Sequence, residues 1–206
     1  MRRRLIAIVL PCTVAIVAAG CGSTPPSHFY TLSAASAPAT SAASTPATAS
    51  SDLSVAVGPV VVPAAVDRPQ IVVAMTANEV WLDEFNRWAS PLPNNIARIV
   101  AENLVSMLGT PRVTLWPQTL SIGVDYRAAV EVQRFESAPG VAATVEAVWT
   151  VIRARDGASQ TGRTAAREAA SEKSYDALAA AHSRAIARLS QDIADAVRAL
   201  DGSRAR

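Results

Sequence analysis

Cys21 is the side chain best placed to do chemistry. It follows Ala18, Ala19 and Gly20, small residues that let a peptidase fit the chain. Its thiolate is a strong nucleophile, suited to covalent attachment. The other cysteine, Cys12, lies inside an apolar run, and beyond these two the reactive inventory is thin. The chain has two histidines, His28 and His182. His182 falls on the apolar stripe of a helix, where packing is its expected role. No H-E-x-x-H, G-x-S-x-G, phosphate-loop or G-x-G-x-x-G pattern occurs. Asp83 and Glu84 are adjacent, so they point to different sides of any helix or strand. The expectation is a non-enzymatic protein with no catalytic residue, metal site or cofactor.

The segment before Cys21 explains how its thiol would be used. Arg2, Arg3 and Arg4 precede an uncharged run of 15 residues, Leu5 to Ala19. Such a run spans about 22 Å as a helix, short of the ~30 Å hydrocarbon core of a bilayer. Residues 1–20 therefore read as a cleaved signal peptide. Ala18-Ala19-Gly20-Cys21 resembles the lipobox of bacterial lipoproteins, with Ala18 where Leu is frequent. That resemblance implies cleavage before Cys21, diacylation of its sulfur and acylation of the new amine, which is more than stable anchoring needs. Gly22, rather than Asp, implies the outer membrane. Without the signal, 16 basic residues face 17 acidic ones, so nothing in the net charge attracts nucleic acid.

The elements that must position anything else follow from periodicity. Ser33 to Ser51 contains only Ser, Ala, Thr and Pro and reads as a spacer. This makes residues 21–51 a lipidated N-terminus with a spacer, and residues 52–206 one folded domain. Phe29 to Leu32 either belongs with that linker or docks as a strand. Leu53 to Val62 reads as a strand broken at Gly58-Pro59, Val66 to Pro69 as a turn, and Ile71–Met75 and Glu79–Phe85 as strands. Ser90-Pro91 predicts a helix start, and Ile96, Ile99, Val100, Leu104, Met107 and Leu108 give its apolar face. Val113–Trp116 predicts a strand. Tyr126–Gln133 and Val141–Ile152 alternate and predict a hairpin, the second strand burying Val141, Ala143, Val145, Ala147, Trp149 and Val151. Thr161–Ala169 predicts a further strand. Leu178, His182, Ile186, Leu189, Ile193, Val197 and Leu200 form the clearest helical stripe, with Ser174 as cap. The fold class is α+β: a mixed or antiparallel sheet with two amphipathic helices packed on one face.

Trp81 and Trp88 lie in a segment that mixes charge with aromatic surface, a composition that suits either core packing or a protein interface.

Val57-Gly58-Pro59-Val60, Pro63, Asp67-Arg68-Pro69-Gln70-Ile71-Val72, Glu84, Arg87-Trp88-Ala89, Pro91-Leu92 and Ala101-Glu102-Asn103-Leu104 closely resemble the ABC-type transport auxiliary lipoproteins of the PqiC type. Lipidated Cys21 followed by Phe29-Tyr30-Thr31-Leu32 is similar too. The resemblance implies a membrane integrity-associated subunit that works with an MCE-domain protein, docks its periplasmic tunnel at the outer membrane, and can homo-oligomerise. Asp67, Arg68 and Gln70 are then expected to fix a turn, with Arg68 paired to a carboxylate. Trp81, Glu84, Arg87 and Trp88 are expected to present or support the partner contact. The alternative is a monomeric lipoprotein that itself carries a lipid or other apolar ligand.

Overall fold

A hairpin of two long strands organises the computed structural model, which describes residues 25–34, 52–117 and 123–202. Residues 1–20, expected to be a signal peptide, Cys21 and most of the expected spacer lie outside the described residues. The hairpin pairs β6 (Tyr126–Ala138) with β7 (Ala142–Arg153), and β8 (Ser159–Ala169) continues the meander on the β7 side. Alternation makes one face apolar: Tyr126, Ala128, Val130 and Val132 on β6 and Val145, Ala147, Trp149 and Val151 on β7 are buried. A bulge after Val132 shifts the β6 register, so Phe135 and Ser137 return to the buried face. Val141 departs from the sequence reading. It sits in the turn, 56% exposed, with its N–H bonded to the Ala138 carbonyl.

The other edge of β6 is shared. Its first half pairs in parallel with β2 (Val55–Val61), which carries β5 (Val113–Leu115) beyond it. Its end touches β3 (Gln70–Ala74) at Val73–Ser137. β3 pairs antiparallel with β4 (Val80–Trp88), and β4 pairs in parallel with β1 (His28–Tyr30). Of the two placements open for Phe29–Leu32, docking is the one observed. Leu32 is 1% exposed. The Arg98 guanidinium donates to the Leu32 carbonyl at 2.7 Å, to Asn95 Oδ1 at 3.0 Å and to Thr31 Oγ1 at 3.1 Å. These bonds clamp the chain after β1 onto the first helix.

Two helices cover one face of the mixed sheet, as the α+β reading expects. α1 (Leu92–Leu108) buries Ile96, Ile99, Val100 and Leu104. Its cap residue is Pro91 rather than Ser90, and no side chain caps it. Pro93 fits in the first turn because that turn's N–H groups need no helical acceptor. Gly109 ends the helix in the left-handed region at φ 66°, which glycine adopts without Cβ strain. α2 (Tyr175–Gly202) buries the expected stripe from Leu178 to Val197, and Ser174 Oγ accepts from the Ala177 N–H at 3.1 Å. Asn103 Nδ2 donates to Ser190 Oγ at 3.1 Å between the helices. On β8, Gly162 leaves room for the Trp149 ring; an added Cβ would stand 2.2 Å from its Cζ2.

Candidate functional site

Two stretches far apart in sequence meet at the start of α1. Asp67–Pro69 forms one wall of a surface pocket of about 360 Å³, and Trp88–Pro91 forms the other. The walls are pinned by the Trp88 N–H, which donates to the Pro69 carbonyl at 2.7 Å. The first wall is itself a tight turn. The Val66 and Asp67 N–H groups both reach the Pro63 carbonyl, at 3.0 and 3.2 Å, and the Arg68 N–H reaches Val66 at 2.9 Å.

Arg68 is half-buried in this wall, and its Nε is buried with no hydrogen-bond partner. The expected carboxylate is not there: no ion pair forms on Arg68 among the described residues. The turn is closed by backbone bonds, which leaves the guanidinium unspent. An unpaired buried donor is costly unless a ligand group completes it. Asp67 is exposed at the rim. The pocket thus offers a cation and apolar walls to an acidic or amide group brought by a partner.

Gln70, Glu84 and Arg87 form a separate surface brace. Gln70 and Arg87 are register partners across β3 and β4. Gln70 Nε2 donates to the Glu84 carboxylate at 3.2 Å. Arg87 donates from Nε to the Glu84 carbonyl at 2.7 Å and pairs with its carboxylate at 3.3 Å. These groups are exposed, so the brace fixes geometry more than it adds stability.

The brace closes over a bulge in β4, where one step on β3 spans four on β4. Asp83 fills it. Its Oδ1 accepts from the Phe85 and Asn86 N–H groups, each at 2.9 Å, and its Oδ2 accepts from the Tyr175 hydroxyl at 2.6 Å. Burial would raise the Asp83 carboxyl, but the Tyr175 hydroxyl and the two backbone donors hold it below the usual carboxylate range. Burial and this carboxylate push the Tyr175 phenol up. The bulge carries β4 on to Trp88, past the Phe85 end expected from sequence.

Trp88 and Trp81 part company. Trp88 is 5% exposed; its ring meets Phe135 edge-on at 6.1 Å and His182 at 6.3 Å. His182 is fully buried and stacks on Phe135 at 3.9 Å, and its Nε2 lies 2.8 Å from Ser137 Oγ. Burial pushes the His182 imidazole down to about 3, so it is neutral. Trp81 is 60% exposed near the β3–β4 turn. The pocket wall at Ser90 and Pro91, the orphan Nε of Arg68 and the Asp83–Tyr175 bond were not anticipated. Each depends on contacts between distant segments, and no local pattern signals them. No group of metal-ligating side chains gathers among the described residues, nor is any helix among them long and apolar enough to cross a membrane.

The chain belongs to the family of ABC-type transport auxiliary lipoprotein components, whose sequence model matches residues 30–194 and so spans both pocket walls, α1 and the first two-thirds of α2. Membership makes it a lipoprotein accessory to a transport system and implies partner transport proteins. A crystal structure of an uncharacterized protein shares the fold with a TM-score of 0.66 at 19% identity, covering 84% of this chain and 99% of its own. Protein XCC0632 from Xanthomonas campestris gives 0.63 at 22% identity, covering 86% and 99%. No curated protein matches the chain.

Proposed function

We propose that this chain is a PqiC-type subunit of an MCE-type intermembrane lipid transport system. It is lipidated on Cys21, held in the periplasmic leaflet of the outer membrane, and docks the end of a periplasmic tunnel formed by an MCE-domain protein. The observation that carries the proposal is the pocket between Asp67–Pro69 and Trp88–Pro91, where Arg68 keeps a buried, unpartnered Nε. Two of the segments that carry the family resemblance converge there. A carboxylate or amide of the partner completing Arg68 would gain a charge-assisted hydrogen bond.

In this reading each residue has a distinct task. Asp67 and Arg68 contact the partner. Gln70, Glu84 and Arg87 hold the bulged β3–β4 ribbon in one geometry next to the pocket walls. Trp88 backs the pocket wall and does not itself reach the partner. The role is non-enzymatic: the chain positions another component.

The test is affinity capture of tagged protein from gently solubilised envelopes, with wild type beside Arg68→Ala. An MCE-domain protein is expected with wild type and strongly depleted with Arg68→Ala, compared at an unchanged urea midpoint so that lost binding is separated from lost fold. Equal recovery would sink the assignment of the pocket. A co-purifying lipid without any transport component would instead favour the ligand-carrier alternative.

A further inference from the structure

The β3–β4 hairpin exposes every residue from Met75 to Leu82. Four are large and apolar: Met75 60%, Val80 61%, Trp81 60% and Leu82 36% exposed. Between Val72 and Asn86 the charges are Glu79, Asp83 and Glu84, with no Lys or Arg. Leaving such a group in water is unfavourable, and an aromatic among aliphatics is the composition found where a protein meets a bilayer interface.

The register of β1 says which end of the molecule carries the lipid. β1 runs parallel to β4, with His28 beside Asn86 and Tyr30 beside Trp88. The chain before His28 therefore enters from the side of the earlier β4 residues, toward the hairpin turn. Pro25 precedes Pro26, which holds it extended and opposes a reversal there. Seven steps separate Cys21 from His28, a reach of at most about 25 Å. From Arg87 back to Val80 the bulged β4 advances only by the four β3 steps from Gln70 to Ala74, roughly 13 Å. The described chain before His28 thus heads toward the hairpin tip, and the length back to Cys21 is enough for an acyl anchor there to reach the height of that tip.

We infer that the tip of the β3–β4 hairpin, Met75 to Leu82, inserts into the headgroup region of the membrane that holds the lipid anchor. This rests on the lipidation of Cys21 proposed above. The acyl chains supply the affinity; the hairpin fixes the orientation. With Trp81 at the interface, β4 stands off the membrane and lifts the Asp67–Pro91 pocket toward the periplasm by the four β3 steps from Val73 to Pro69, roughly 13 Å, where a tunnel protein arrives. The carboxylates near the tip mean that insertion draws on apolar contact and not on anionic lipid.

The test couples the mature chain, beginning at Cys21, through its one thiol to maleimide-headgroup lipid in phosphatidylcholine vesicles whose acyl chains are brominated. Bromine quenches only indoles that reach the bilayer. Wild type is expected to lose tryptophan emission relative to vesicles without bromine. Trp81→Phe, a change at an exposed position, is expected to reduce that loss by about twofold or more. No quenching in either protein, or equal quenching in both, overturns the inference and leaves the hairpin to a protein partner. Palmitate labelling in cells, compared with Cys21→Ser, tests the anchor separately. Its absence would sink the lipoprotein anchor while the vesicle result still decides the hairpin.

Discussion

The two ends of β4 place the same residue type in opposite settings. Trp88 is 5% exposed against Phe135 and His182, whereas Trp81 is 60% exposed beside a turn of small and polar residues. The difference arises from what lies opposite. The Trp88 end is roofed by α2 through His182 and flanked by β1. The Trp81 end pairs only with β3, opposite Val73, the residue through which β3 touches the end of β6. One end of the strand builds the fold, and the other leaves its apolar side chains in solvent.

This contrast can be broken first at its buried end. Trp88→Ala removes a ring from the core and is expected to cost about 3–5 kcal/mol of unfolding free energy in urea titration; a cost below about 1 kcal/mol would show that the site is solvated. Gly162→Ala is the next largest. Its new methyl would meet the Trp149 ring, and overpacking of this kind costs about 1–3 kcal/mol. Unchanged stability would mean that β7 and β8 can separate freely at that point.

The His182 prediction sharpens the comparison through pH. The folded imidazole is held near 3 while the unfolded one titrates near 6.5. Between those values the unfolded chain binds one more proton, so this group's contribution to stability is intact above 6.5 and is lost as pH falls. The slope it adds approaches about 1.4 kcal/mol per pH unit. Stability of wild type should therefore fall more steeply from pH 6 to pH 4.5 than that of His182→Gln. Parallel curves would place a proton on buried His182. The smallest effect belongs to the exposed end: Trp81→Ala is expected to change stability by less than about 0.5 kcal/mol.

How much of this was legible in the sequence varies with the range of the contact. The α2 stripe and the β6–β7 hairpin could be read, because side-chain period and turn residues are local signals. Val141 was misplaced because its alternation continues into a turn whose backbone bonds override it. The α1 cap was read at Ser90, yet the helix begins after Pro91 without any side-chain cap. The docking of β1 on β4, the β6 edge shared by β2 and β3, and the Asp83 bulge all join distant residues, and nothing local announces them. The same holds at the candidate site. Asp67, Arg68 and Trp88 could be singled out, but not that they face each other, nor that Arg68 lacks the carboxylate expected for it.

The central claim is that a tunnel partner meets the pocket at Asp67 and Arg68. The most direct measurement replaces exposed Asp67 with a photocrosslinking amino acid in cells, with Arg163 on β8 as the comparison position. The account predicts a crosslink to an MCE-domain protein from position 67 and none from position 163. Crosslinks from 163 but not 67, or to no transport component from either, would contradict it.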